Sequence, residues 1–166
     1  MRHVISILLQ NEAGALARVA SLFSTRGYNI ESLSVAPTEE SHVSRLTLVS
    51  IGSDQVINQI NHQLLKLVDV VKIADMTLGD HIERELLLLK LCISEDAGNR
   101  VLEMIAQQGA RILDDDLANY TIELTGTGTH LDEFIERVAA DAEVLTVVRS
   151  GPLAVGRGQR ILGATI

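Results

Sequence analysis

The chain has 166 residues and a mass of 18.0 kDa, enough for one ordinary domain or two small ones of about 80 residues and too little for a barrel enzyme. Apolar residues make up 46% and mean hydropathy is +0.22, but only Phe23, Tyr28, Tyr120 and Phe134 are aromatic, so aliphatic side chains must fill the core. Fourteen basic against 22 acidic residues give a net charge of −8, which argues against nucleic acid or an anionic membrane as partner.

A single cysteine, Cys92, cannot form an internal disulfide and fits a reducing compartment. The short apolar stretch near Met1 is followed at once by Asn11 and Glu12 with no small-residue cleavage site, so it does not read as a signal peptide. No apolar run approaches the ~20 residues that span a bilayer. The expectation is a soluble, cytoplasmic protein.

In chain order, Val4–Leu9 reads as a strand, and Leu16, Val19, Ala20 and Phe23 recur at the spacing of a helix face. Gly27 ends that helix, where a left-handed residue is cheapest. Ile30–Ala36 and Val43–Ile51 form a hairpin whose tip is Pro37–Ser41. Ser53 or Asp54 caps a second helix with the stripe Val56, Ile57, Ile60 and Leu64, and Val70–Thr77 closes the unit as a fourth strand.

The second half repeats this order. Glu85–Ile93 is a strand, Val101–Gln108 lies in a helix ended by Gly109, and Arg111–Leu117 and Asn119–Leu124 are strands. Leu131, Phe134, Ile135 and Val138 mark a second helix, and Glu143–Val148 a last strand. Glu12-Ala13-Gly14 is echoed by Asp96-Ala97-Gly98, and Gly27 with Ile30 by Gly109 with Ile112. The fold class is therefore α+β: two related ferredoxin-like βαββαβ units, each an antiparallel sheet with helices on one face. Residues 1–78 form the first domain, 79–84 a linker, and 85–166 the second domain with an irregular tail. The continuous run Leu86–Leu89, Leu91, Cys92, Ile93 reads as buried on both sides, which implies an oligomer of at least two chains.

Catalytic signals are weak. Cys92 lies in the most apolar segment and reads as a buried structural thiol. His3, His42, His62, His81 and His130 are scattered without metal-ligand spacing, so no metal site is expected. Asp114-Asp115-Asp116 reads as a solvated turn with at most incidental cation binding. Gly126-Thr127-Gly128 and Gly156-Arg157-Gly158 lack dinucleotide or phosphate-loop patterns and read as turns.

The segment with a ligand signature is Gln10–Leu16, where a loop runs directly into a helix and its unpaired N–H groups. Gly14 has no Cβ to hold a carboxylate away, and Asn11 can donate and accept. Two readings stand: an amino-acid site, or Asn11 as the helix cap with Gly14 allowing close packing. Asn29 lies at the far end of the helix, about 18 Å away, and could serve the same ligand only from another chain, joined edge to edge through the second strand.

Asn11–Leu16, Arg26–Leu33, Val35–Thr38, Lys66–Val70, Glu83–Leu86 with Lys90, Tyr120-Thr121 with Leu124 and Gly126, and Arg149–Gly151 with Arg157-Gly158 resemble the small, regulatory subunit of acetohydroxyacid synthase (acetolactate synthase), with its N-terminal ACT domain. The resemblance spans nearly the whole chain; Ser94–Asp116 is its most individual region. It implies a non-catalytic homodimeric subunit that activates a separate catalytic large subunit and makes it sensitive to valine. It also implies that Asn11 and the backbone of Gly14, Ala15 and Leu16 from one chain, with Asn29 and Ile30 from the other, bind valine, and that Leu16 and Ile30 wall its side chain. Thiamine diphosphate, magnesium and FAD would belong to the catalytic subunit alone; no Gly-Asp-Gly motif for the first two occurs here. The alternatives are a free-standing amino-acid-responsive regulator, for example of transcription, and a small enzyme on the same scaffold.

Overall fold

The computed structural model describes residues 1–116 and 118–164. Two compact units emerge, one comprising Met1–Glu83 with the segment from Gly151 onward, the other Arg84–Ser150.

The first unit begins with β1 (Arg2–Gln10), α1 (Ala15–Thr25), β2 (Ser32–Pro37), β3 (Val43–Ile51), α2 (Asp54–Leu64) and β4 (Val70–Asp75). The sheet order β2-β3-β1-β4, antiparallel throughout, is that of a ferredoxin-like βαββαβ unit. The strand ladder is set by side-chain alternation: Ile5, Ile7 and Leu9 of β1 and Leu46 and Leu48 of β3 face one side. There they meet Val19 and Phe23 of α1 and Ile57, Ile60 and Leu64 of α2. Ser53 caps α2 through its hydroxyl, which accepts from Val56 N at 3.4 Å. Gly27, at φ +69°, follows α1 in the left-handed turn expected of it. Pro37 is accommodated because β2 lies at the sheet edge, where one missing N–H breaks no central ladder.

Three differences from the sequence reading have local causes. Thr77 leaves the sheet because the Asp75 carboxylate accepts its N–H at 2.9 Å and turns Met76–Leu78 into a 3-10 helix. The supposed linker 79–84 is mostly strand, since β5 (His81–Cys92) starts well before Glu85. The tail does not belong with the second half: β9 (Leu153–Gly156) and the described residues after it, as far as Ala164, group with the first unit. Ala154 joins Val4, Val49 and Met76, while Ala164 joins Leu8 and Val43. The tail thereby covers the sheet face opposite α1 and α2, which is why every residue from His3 to Leu9 is buried.

The second unit holds α3 (Gly98–Gln107), β6 (Arg111–Asp114), β7 (Tyr120–Gly126), α4 (Gly128–Ala139) and β8 (Glu143–Arg149), with strand order β6-β7-β5-β8. Its core joins Leu87, Leu89 and Leu91 of β5 to Val101 and Ile105 of α3 and Leu131, Phe134 and Val138 of α4. Here the leucine run alternates. Leu87 and Leu89 are fully buried, but Leu86 is 38% exposed and Leu88 half-buried, because both helices lie on one face only. Cys92 shares the open face and is half-buried rather than enclosed. β6 ends at Asp114, where the Asp114 and Asp116 carboxylates accept turn N–H groups from Asp116 and Ala118; Leu117, the expected end of that strand, lies outside the described residues. Thr127, between the two glycines, caps α4 by accepting from His130 N.

Candidate functional site

The loop after β1 is held on both sides before it turns into α1. Gln10 N donates to Asp69 O at 2.8 Å, Asn11 N to His42 O at 2.8 Å, and the Asn11 side-chain amide to Ser41 O at 2.9 Å. Asn11 is thus tied to the β2–β3 connection, is exposed, and does not cap the helix. The N-cap is Gly14, at φ +90°, and no side chain caps α1. Ala15 N already donates to Glu12 O at 3.3 Å, so the first-turn N–H groups of Leu16 and Ala17, with the positive end of the helix dipole, are the ones without a partner among the described residues.

Glycine is favoured here by its backbone: a side chain would be strained at that φ, and a Cβ would stand 2.9 Å from Nη1 of Arg18, which would have to shift. Arg18 and Asp69, which sequence reasoning did not single out, form the wall behind the turn: Nε donates to Oδ2 at 2.5 Å and Nη2 to Oδ1 at 2.7 Å. The Arg18 hydrogen bond holds the Asp69 carboxyl below its ordinary range, against the opposing effect of burial; the same bond raises Arg18. The available signals were the four-residue spacing from Gly14 to Arg18, which stacks both on one helix face, and the presence of Asp69 in the conspicuous segment Lys66–Val70. A cavity of about 390 Å³ runs along α1 from Gly14 and Arg18 past Leu22 and Thr25 to Leu67.

Of the other expected contacts, Ala15 is buried and its N–H donates to Glu12 O, whereas Leu16 is 38% exposed beside the loop. Asn29 and Ile30 precede β2 rather than lying within it. The exposed Asn29 side chain donates to Glu31 Oε1 at 2.6 Å, its carbonyl accepts from Ser50 Oγ at 2.8 Å, and Ile30 packs half-buried against the helix-side core. The 11 residues of α1 separate Asn29 from Asn11 by about 16 Å of helix, so one chain does not bring the two together. Asn29 does, however, come three residues before an edge strand that has no outer neighbour among the described residues.

Among the described residues no group of three or more histidine, cysteine, aspartate or glutamate side chains is placed to hold a metal ion, and no helix is long and apolar enough to cross a membrane.

Residues 5–72 match the family described as the AHAS small subunit-like ACT domain, and residues 84–158 the family described as the small subunit of acetolactate synthase. The chain is 42% identical over 162 residues to the acetolactate synthase isozyme 3 small subunit of Escherichia coli, covering 98% of this chain and 99% of that one. It is 41% identical to the acetolactate synthase small subunit of Haemophilus influenzae, over 96% of this chain and 98% of the relative. The crystal structure of the acetolactate synthase small subunit from Thermotoga maritima superposes with a TM-score of 0.85 at 31% identity, covering 95% of this chain and 98% of that one. By matched families, full-length similarity and shared fold, the chain belongs to the acetolactate synthase small-subunit family, with an N-terminal ACT domain.

Proposed function

We propose that this chain is the regulatory, non-catalytic subunit of an acetolactate synthase: it binds a separate, thiamine-diphosphate-dependent catalytic subunit, raises its activity and makes it sensitive to valine in branched-chain amino acid biosynthesis. The observation that carries the reading is the N-terminus of α1, opened by a left-handed Gly14 with no side-chain cap. Its N–H groups suit the α-carboxylate of an amino acid, and the Asn11 side chain suits the polar remainder. Leu16 offers an apolar surface beside them.

Asn29 and Ile30 complete the site from a second copy. Pairing of two β2 edges in a homodimer sets the Asn29 end of one chain against the glycine loop of its partner, and places valine in the seam. Valine then stabilises the dimer arrangement that holds the catalytic subunit less active, a coupling worth about 1 to 3 kcal/mol.

The test is reconstitution. The chain is mixed with its cognate large subunit and acetolactate formation is followed with and without valine, alongside valine calorimetry on the chain alone. Activation by the wild type, valine inhibition, and loss of both inhibition and valine binding in Gly14→Asp with activation retained are expected. Valine affinity unchanged in Gly14→Asp overturns the site, and failure to activate the large subunit overturns the assignment.

A further inference from the structure

Arg2, Arg18, Arg100, Arg111, Arg149 and Arg157 each hold a carboxylate, whereas Arg160 and Arg45 bond backbone carbonyls, and of these two Arg45 lines a cavity. Arg45, half-buried on β3, instead donates from Nη1 to Ser6 Oγ at 3.1 Å and from Nη2 to Leu162 O at 2.5 Å, and forms no ion pair among the described residues. Two neutral acceptors fix the guanidinium plane without neutralising it. Three of its five N–H groups remain unspent.

Arg45 lines a cavity of about 320 Å³ together with Ser34, Thr38, Thr47, Glu39 and Leu153. The strand register puts the polar members on one face: Ser34 pairs with Thr47 and Ala36 with Arg45, so Ser34, Arg45 and Thr47 alternate onto the side of the sheet away from α1 and α2. Thr47 is only 3% exposed, and Ser6, which anchors Arg45, is fully buried. An oriented, unneutralised cation beside hydroxyl donors is the chemistry of oxyanion recognition. Glu39 at the rim opposes an anion and sets an upper limit on its affinity.

We infer that this cavity is a second small-ligand site, distinct from the glycine loop and on the opposite sheet face, which takes a small oxyanion, a carboxylate or a phosphate group, on the Arg45 guanidinium with Ser34 and Thr47 as neighbours. The site does not depend on the valine reading.

Backbone amide shifts of the full-length, isotope-labelled chain are followed during titration with sodium phosphate and, separately, sodium acetate and sodium lactate, ionic strength being held with sodium chloride. Saturable shifts at Ser34, Arg45 and Thr47 are expected with at least one probe; saturation by phosphate alone assigns a phosphate group, and by the carboxylates alone an organic acid. Arg45→Gln weakens binding about tenfold or more, as expected for the loss of charge-assisted hydrogen bonds. Because that variant also releases Leu162, Glu39→Gln provides the independent arm: removal of a rim charge whose carboxylate has no partner among the described residues tightens binding about two- to threefold. Gly14→Asp leaves the titration unchanged. No saturable shift with any probe overturns the inference, as does an unaltered midpoint in a folded Arg45→Gln or in Glu39→Gln.

Discussion

Arg18 and Asp69 are joined through two parallel hydrogen bonds, 2.5 and 2.7 Å long, between residues 51 positions apart in the chain, and the guanidinium of the pair occupies the ground that a side chain on residue 14 would need. The pair ties the first turn of α1 to the segment leading into β4, and Asp69 also receives Gln10 N on its carbonyl. The geometry of the loop between β1 and α1 is thereby set by a residue well outside it.

Gly14→Ala tests the backbone requirement apart from charge. With a methyl group at φ +90° and 2.9 Å from Arg18 Nη1, folding stability falls by about 1 to 2 kcal/mol in urea unfolding. A change within 0.3 kcal/mol of zero contradicts the left-handed cap.

Asp69 sets an acid dependence with a defined sign. Its folded carboxyl titrates lower than in the unfolded chain because of the Arg18 hydrogen bond, so its contribution is complete above the unfolded value of about 4 and is lost as pH falls through the lowered folded value. Urea midpoints measured from pH 7 down to pH 3 fall more steeply for the wild type than for Asp69→Asn. Parallel curves exclude the linkage.

Neighbouring leucines on β5 separate the two faces of the second sheet. Leu87→Ala opens a cavity against α3 and α4 and costs about 2 to 5 kcal/mol, whereas Leu86→Ala, at a position 38% exposed, costs less than about 1 kcal/mol. Equal losses in chemical denaturation mean that the open face is covered in solution, as an assembled partner or second copy makes it.

Truncation after Arg157 strips Leu162 and Ala164 from Leu8 and Val43 and removes the Leu162 carbonyl from Arg45. The first unit loses about 2 to 4 kcal/mol, read as faster hydrogen exchange along β1 and β3. Exchange in the second unit is unchanged; protection lost there instead assigns the tail to the other half.

Helix stripes such as Val56, Ile57, Ile60 and Leu64, the strand alternation, Ser53 as a cap and Gly27 as a stop were legible in the letters because each is a local rule acting over a few residues. So was the loop Asn11–Leu16, since an asparagine, a glycine and a helix start within six residues carry their own chemistry. What the letters did not show was non-local. The tail reads as irregular, and nothing within it announces that Ala154 and Ala164 close the far face of a sheet made more than a hundred residues earlier. The leucine run of β5 reads as buried on both sides, whereas within the chain α3 and α4 cover one side, and cover for the other has to come from another surface. Arg18 meets Asp69, and Arg45 meets no acid among the described residues, for the same reason: charge partners are chosen by which strands and turns arrive side by side, a choice made when the chain folds and not recorded in any short window of it.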